Sequence, residues 1–354
     1  MSADFPGVGH IAQGEPFAPP QHIEHVDQLV TPALLVDADR LTDNLATMAR
    51  ARPGPRLRPH VKAHKTTALA GRQRAVGHER FTCATVREVE GMVRAGLGMD
   101  LLLANEILDA RRIGTLVDQG ARVTCAVDSE ETIVAAVRGG VREVVVDVFV
   151  GMPRCGCSPQ DAGRLADLAR ARGLVVRGVM GYEGHAQLLP SAAERARLTE
   201  AAMDILLAAA ADVGGDLVTG GGTGTAACNT WADEIQAGSY CLMDTAYGAL
   251  GLPFAQALTI LGTVISVSPG WAVADVGLKA LSVDHGNPTI AGATVRFCSD
   301  EHTVFVPGEQ PVRVGDRVEV IPSHVDPTVA LHEAMYLVRG GEVLERWEVD
   351  LRGW

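Results

Sequence analysis

Residues 122–149 read RVTCAVDSEETIVAAVRGGVREVVVDVF. A β-branched run at 122–127 gives way to a segment of helical composition at 130–137, and a second β-branched run follows at 143–149. This order predicts a strand, a crossover helix and a second, parallel strand. The same alternation extends both ways. Further strands are expected at 57–61, 81–84, 100–104, 175–180, 217–219 and 235–241, with helical segments at 85–95, 107–119, 160–171 and 192–211 between them. Eight parallel strands joined by crossovers favour a closed (β/α)8 TIM-type barrel, with an open doubly wound sheet as the alternative. Beyond residue 257 the style changes to short alternating strands at 258–267, 271–276, 294–298, 303–306, 316–321, 334–338 and 342–349, separated by Gly, Pro and Asp turns with no helix-length segment between them. That pattern predicts a smaller all-β domain over 257–354, after a barrel over 31–256 and an irregular N-terminal arm over 1–30.

Composition narrows the functional classes. The 354 residues carry 43 acidic against 31 basic side chains, a formal net charge of -12. Such a balance repels phosphate backbones and gives no pull toward anionic lipid, so neither nucleic acid nor a membrane is expected as a partner. The start, MSADFPGVGHIAQGEPFAPP, has no basic stretch followed by an apolar run and does not read as a secretory signal. Seven scattered cysteines fit reduced thiols better than a disulfide framework, and a cytoplasmic location is expected. Cys155 and Cys157 lie close in sequence, but no second pair completes a four-ligand site.

Three clusters could carry chemistry. In RLRPHVKAHKTT (56–67), Lys62 stands at the end of the first expected strand beside His60, His64 and Lys65. Functional side chains project from that end of barrel strands, and neighbouring cations disfavour an ammonium, as imine chemistry requires. An exposed basic loop is the bland alternative. The run Gly220 to Thr225, directly after the seventh strand, offers backbone N–H groups to an anion, and Gly238, Ser239 and Tyr240 follow the eighth. Its spacing is neither a nucleotide P-loop nor a dinucleotide fingerprint, and a plain flexible loop is the alternative. In SHVDPT (323–328), an extended backbone would put His324 and Asp326 on one side as ligands for a metal ion, although most such pairs are surface polar residues.

Taken together, these residues resemble the family containing D-threonine aldolases, D-3-hydroxyaspartate aldolases and eukaryotic-type D-serine dehydratases. The resemblance runs over nearly the whole chain from Thr31. It is carried by TPALLVD, RPHVKAHK, CATVREVE, LLLANE, RCGC, GYEGH, GGGTGT, EIQAGSYCLMD, ADVGLKALSVDHG, CSDEH and PSHVDPT. It implies a fold-type-III pyridoxal 5'-phosphate enzyme: an alanine-racemase-like barrel holding the cofactor, a β-domain joined by the N-terminal arm, and a homodimer. By position it makes Lys62 the lysine that carries the cofactor as an imine, with His60 beside it. Arg154 matches the contact to the cofactor's phenolic oxygen, and Tyr182 matches a tyrosine beside the ring. Gly221, Gly222, Thr223, Gly238, Ser239 and Tyr240 match the phosphate cradle, and His324 and Asp326 the divalent-metal ligands. The dehydratases resemble a His-x-Cys pattern with zinc. Asp326 therefore points to the aldolase branch, with manganese ahead of magnesium or zinc, since carboxylate with imidazole accepts harder ions than thiolate does.

The implied reaction cleaves the Cα–Cβ bond of a D-3-hydroxy amino acid to glycine and an aldehyde. The nearest rival is a dehydratase giving a 2-oxo acid and ammonia, followed by a racemase and a non-catalytic cofactor-binding protein. Two departures stand out. The family pattern has a histidine six residues after Tyr182, as base on the hydroxyl; here that position is Leu188, and His185 is the candidate instead. Phe149 stands where the family has an aspartate. Gln187 and Leu188 predict a less polar pocket and a substrate bulkier or more apolar than threonine.

Overall fold

The computed structural model describes residues 23–354; most of the expected arm, residues 1–22, lies outside the described residues. Strand β1 (Ala33–Asp37) leads into helix α1 (Ala38–Ala51), and α2 (Thr67–Ala75) follows the lysine-rich segment. The barrel strands are β2 (Phe81–Cys83), β3 (Leu101–Leu103), β4 (Val123–Val127), β5 (Glu143–Asp147), β6 (Val175–Gly181), β7 (Leu217–Gly220) and β8 (Glu234–Ile235). They pair in sequence order, all parallel. Helices α3 (Val86–Arg94), α4 (Arg111–Asp118), α5 (Glu130–Gly139), α6 (Ala162–Ala171) and α7 (Ala192–Val213) form the crossovers. Within the 122–149 unit, a Ser129–Thr132 capping box starts α5 and left-handed Gly140 stops it.

The segment expected as the first barrel strand is not a regular strand. It makes isolated parallel bridges, Leu57 to Ile235 and His60 to Thr82, and turns into a 3-10 helix at Val61–Ala63. Pro59 has no N–H to give, so the ladder is interrupted there. Bonds from Arg58 N to Ile235 O (2.9 Å), His60 N to Ala237 O (3.1 Å) and Thr82 N to Pro59 O (2.9 Å) nonetheless join the last strand to the first and close the barrel. The eighth strand is also shorter than expected: after Ile235 the chain leaves the sheet and reaches a 3-10 turn at Ser239–Cys241.

Alternation along these strands sorts the core. Leu102, Ala126, Val145, Met180 and Leu217 form one buried cluster, while their strand neighbours Leu101, Leu103, Cys125, Val144 and Val146 belong to the larger core. Side chains alternate across a strand, so the first set fills the barrel and the second packs under the helices. After α8 (Thr245–Gly248) the remaining strands are β9 (Leu258–Ser268), β10 (Trp271–Ala274), β11 (Thr289–Ile290), β12 (Ala293–Cys298), β13 (Thr303–Pro307), β14 (Arg317–Ile321), β15 (Ala334–Arg339) and β16 (Glu342–Glu348). They form a second sheet in the order β12-β13-β10-β9-β1-β15-β16, with β14 pairing β9 and β11. β1 is a central member of this sheet, paired with β9 and β15, and Val26 N bonds Gly341 O (2.9 Å) at its edge. One short helix, α9 (Val325–Ala330), interrupts the strands where a continuous all-β pattern was expected.

Candidate active site

The mouth of the barrel opens into a cavity of about 470 Å3 whose far wall is His285, His324 and Asp326 of the β-domain. The two lysines of the first motif face different ways. Lys65 sits at φ 46°, and its Nζ lies 2.5 Å from Oε1 of fully buried Glu88. Lys62 lines the cavity, with Nζ 3.8 Å from Asp326 Oδ2. His60 caps this turn, its Nδ1 facing the Lys62 N–H at 3.4 Å. Burial, then the Lys62 and Lys65 charges, holds the His60 imidazole well below its usual pKa and therefore neutral; burial pushes His64 down to about 4.

The glycine run is braced from beneath. Glu183, fully buried, accepts from Gly221 N (3.1 Å), Thr225 Oγ1 (2.8 Å) and Asn229 Nδ2 (3.1 Å). Gln187, which also lines the cavity, accepts from Gly224 N (2.9 Å) and donates to Thr225 Oγ1 (2.9 Å). Gly221 takes φ +76°, a conformation side chains resist, and a Cβ on Gly238 would fall 2.5 Å from His60 O. Among the described residues the N–H groups of Thr223 and Ser239 meet no protein acceptor, although both residues line the cavity. Two free donors on a glycine-shaped concavity suit a phosphate. Tyr240 contributes only backbone, its N–H donating to Thr223 Oγ1 (3.1 Å). Its ring leads away, packing on Phe254 and accepting from Gln73 Nε2 (3.1 Å).

Arg154 stands over the Tyr182 ring, 5.3 Å from its centroid. Burial raises the Tyr182 phenol, and Tyr247, from α8, is likewise raised by burial and then by Tyr182. Both phenols therefore stay protonated. Asp147, at the end of β5, faces Glu106; burial and the Glu106 charge push its carboxyl well above the usual range, and Glu106 Oε1 has no hydrogen-bond partner. Tyr247, Asp147, Glu106 and His285 were not singled out from sequence. Strand-end position could have flagged Asp147 and Glu106, but nothing local flags Tyr247.

Two expectations are corrected. His185 is exposed and absent from the cavity lining; its ring covers Gly151, where a Cβ would come within 2.7 Å. The turn Gly184–Ala186 is 3-10, so with three residues per turn Gly184 and Gln187 share one face and His185 points off it. His324 and Asp326 are not an extended pair. Asp244 accepts from Val325 N (2.9 Å) and Thr328 Oγ1 donates to His324 O (2.7 Å), winding the chain into α9. Asp326 and Pro327 in its first turn are a helix-start signal in the sequence. Both residues still line the cavity. Asp326 accepts from Ser239 Oγ (3.1 Å), while His324 Nδ1 lies 2.7 Å from Asp284 Oδ2 and its ring stacks on His285 with centroids 4.1 Å apart.

A closed parallel barrel with a lysine, an arginine and an anion cradle at its strand ends, roofed by a β-domain, defines an alanine-racemase-type enzyme fold. The family model for the alanine racemase N-terminal domain matches residues 36–246, and the serine dehydratase domain model matches 257–338. The chain belongs to the first of these families, whose members use pyridoxal phosphate. It is 35% identical to the D-threonine aldolase of an Arthrobacter species, over 97% of each chain. It is 33% identical to the 3-hydroxy-D-aspartate aldolase of Paracoccus denitrificans, over 92% of this chain and 93% of that one. The crystal structure of D-threonine aldolase from Filomicrobium marinum superposes with a TM-score of 0.87 at 35% identity, covering 95% of this chain and 99% of that one.

Proposed function

We propose that the protein is a pyridoxal-phosphate- and divalent-metal-dependent lyase that cleaves D-3-hydroxy amino acids to glycine and an aldehyde. The observation that carries this reading is the position of Asp326, 3.8 Å from Lys62 Nζ, in a chain similar to D-threonine aldolase along almost its whole length. The residues present fit the cofactor: a reachable lysine, two unpaired N–H groups on the cradle, and a cavity within the ~300–1,000 Å3 range of ligand sites. When bound, pyridoxal phosphate supplies an electron sink for the carbanion left when the bond breaks.

The chain's own residues do the rest. Lys62 would carry the cofactor, Thr223 and Ser239 would hold its phosphate, and Arg154 would meet its phenolic oxygen. Tyr182 and Tyr247, kept protonated, would serve as hydrogen-bond donors and not as bases. His60, kept neutral, adds no charge beside Lys62. His324 and Asp326 would hold an ion that polarises the 3-hydroxyl, and a carboxylate with an imidazole, completed by water, suits manganese better than a thiolate set would. Leu188 lines the cavity with Met152 and Met180, while the Gln187 amide is taken up by bonds to Gly224 N and Thr225 Oγ1. That wall supports an apolar substituent at C3, such as phenyl, over the methyl of threonine. A homodimer is part of this reading, checked by sedimentation.

The test is to incubate the holoenzyme with D-threonine, D-phenylserine, D-3-hydroxyaspartate and D-serine, with and without chelator. Glycine plus aldehyde, lost on chelation, is the expected product pattern. A 2-oxo acid with ammonia would replace the aldolase reading by a dehydratase.

A further inference from the structure

A Cβ on Gly222 would fall 2.6 Å from Gln187 Oε1, and one on Gly224 would strike the Gln187 carbonyl. Two glycines of the cradle therefore make room for Gln187. The bonds beneath them have one possible direction, because a backbone N–H can only donate. Gly224 N donates to Gln187 Oε1 (2.9 Å), so the amide must turn its Nε2 toward Thr225 Oγ1 (2.9 Å). Gly222 N also donates to Thr225 Oγ1 (3.2 Å), which fills both lone pairs of that hydroxyl and leaves its proton for Glu183 Oε1 (2.8 Å). Ala232 N donates to Asn229 Oδ1 (3.2 Å), so Asn229 Nδ2 must face the same Glu183 oxygen (3.1 Å). Gly221 N donates to the other Glu183 oxygen (3.1 Å).

Both Glu183 oxygens are thus met by donors alone. Glu183, Thr225 and Asn229 are fully buried and Gln187 nearly so, which leaves no water at hand to repair a reversed bond. Of the four N–H groups from Gly221 to Gly224, three are consumed from below and that of Thr223 is left for the cavity. Thr223 Oγ1 accepts from Tyr240 N (3.1 Å), and among the described residues nothing accepts the proton of its hydroxyl. One residue therefore offers an anion two donors.

We propose that Glu183 and Gln187 are positioning residues for cofactor retention: the donor order that they impose through Thr225 fixes the glycine run and presents Thr223 to the phosphate. This rests on the pyridoxal phosphate reading of the cavity. Glu183→Gln cannot keep the order, because the new NH2 group would face either Gly221 N or Asn229 Nδ2, both donors. Gln187→Glu sets an acceptor against Thr225 Oγ1, whose proton is already given to Glu183. In the double variant the Thr225 proton can turn to the new carboxylate while its oxygen accepts from the new amide. The relay then runs backwards, and only the Asn229 contact stays in conflict.

The test uses full-length protein freed of cofactor and titrated with pyridoxal phosphate, with absorbance giving the affinity and a melt of the cofactor-free protein giving its stability. Glu183→Gln and Gln187→Glu should each weaken binding roughly tenfold to a hundredfold, and the double variant should lose less than the product of the two. The phosphorus resonance of the bound cofactor should shift in both single variants. Thr225→Val, which removes the relay, carries the same expectation should Glu183→Gln not fold. Single variants that melt early yet bind as tightly as the parent would overturn the positioning role and leave the cofactor reading intact. A loss in the double variant equal to the product would remove the order through Thr225. A parent protein that takes up no pyridoxal phosphate would overturn the cofactor reading, and this inference with it.

Discussion

The two ends of the barrel use charge in opposite ways. At the end where the strands begin, Arg58 is almost wholly buried, with Nε 2.5 Å from Glu234 Oε1 and Nη1 2.8 Å from Asp100 Oδ1. Arg80 approaches the same two acids, and Arg122 and Arg177 share Glu143 at 3.0 and 2.9 Å. Positive and negative groups are interleaved around the floor, each within 4 Å of an opposite charge, although Glu234 Oε2 is reached only by Arg80 at 3.5 Å and makes no hydrogen bond. At the mouth the groups are left incomplete: Lys62 is 3.8 Å from its nearest acid, two cradle N–H groups have no acceptor, and Glu106 Oε1 has no partner. The floor is a closed network that holds the strands, and the mouth is an open one that awaits ligands. Both draw on the same residue types, so satisfaction, not composition, separates structure from function.

Substitutions at the two ends should therefore fail differently. Lys62→Ala is expected to lower kcat/KM on the order of a thousandfold or more while leaving the melting temperature within a few degrees, since the side chain is partly exposed. A comparable loss of stability would erase the distinction. Arg58→Ala should do the reverse, costing about 3–5 kcal/mol of stability because two buried carboxylates lose their partner. The folded fraction should keep its kcat, as measured by denaturant titration and assay on one preparation.

Acid sharpens the contrast, because neutral imidazoles are buried close to the mouth. Burial places the folded pKa of His64 at about 4 against an ordinary 6.5, and His60 shifts the same way. Below 6.5 the unfolded chain binds protons that the folded one refuses, so stability is complete above 6.5 and falls as the pH drops toward 4. His64 alone accounts for about 3 kcal/mol by linkage, measurable by urea unfolding across that range. A flat profile would mean that these imidazoles titrate freely.

Gly222→Ala would bring a Cβ to 2.6 Å from Gln187 Oε1, crowding the cradle. A cost of about 1–3 kcal/mol is expected, seen mainly as weaker cofactor retention. Leu188 should have the smallest effect. D-Phenylserine should exceed D-threonine in kcat/KM by roughly tenfold, as extra apolar contact in such a pocket provides, and Leu188→Asn should shrink the ratio.

The barrel is legible because β-branched runs and helical segments alternate at regular spacing, and seven of the eight strands beyond residue 257 because their turns are marked by Gly, Pro and Asp; the two-residue β11 is too short to show. Two barrel strands were overread. Pro59 breaks one, and the other leaves the sheet after Ile235 to build the cradle, so each departs where function shapes the backbone. β1 reads as the start of the barrel domain yet pairs in the second sheet, a long-range choice that no local pattern carries. At the site, Lys62 and the glycine run are legible because strand-end position and backbone freedom are local properties. Asp284 and His285 are not, since only the fold brings them to His324. His185 and Tyr240 show the converse, being correct residue types whose local turn or ring direction takes the side chain away.

The central claim is that Lys62, and not its neighbour Lys65, bonds the cofactor. Borohydride reduction of the holoenzyme followed by peptide mass spectrometry tests it directly. The account predicts one pyridoxyl adduct, on Lys62; an adduct on Lys65, whose amine lies 2.5 Å from Glu88, or no adduct at all, would contradict it.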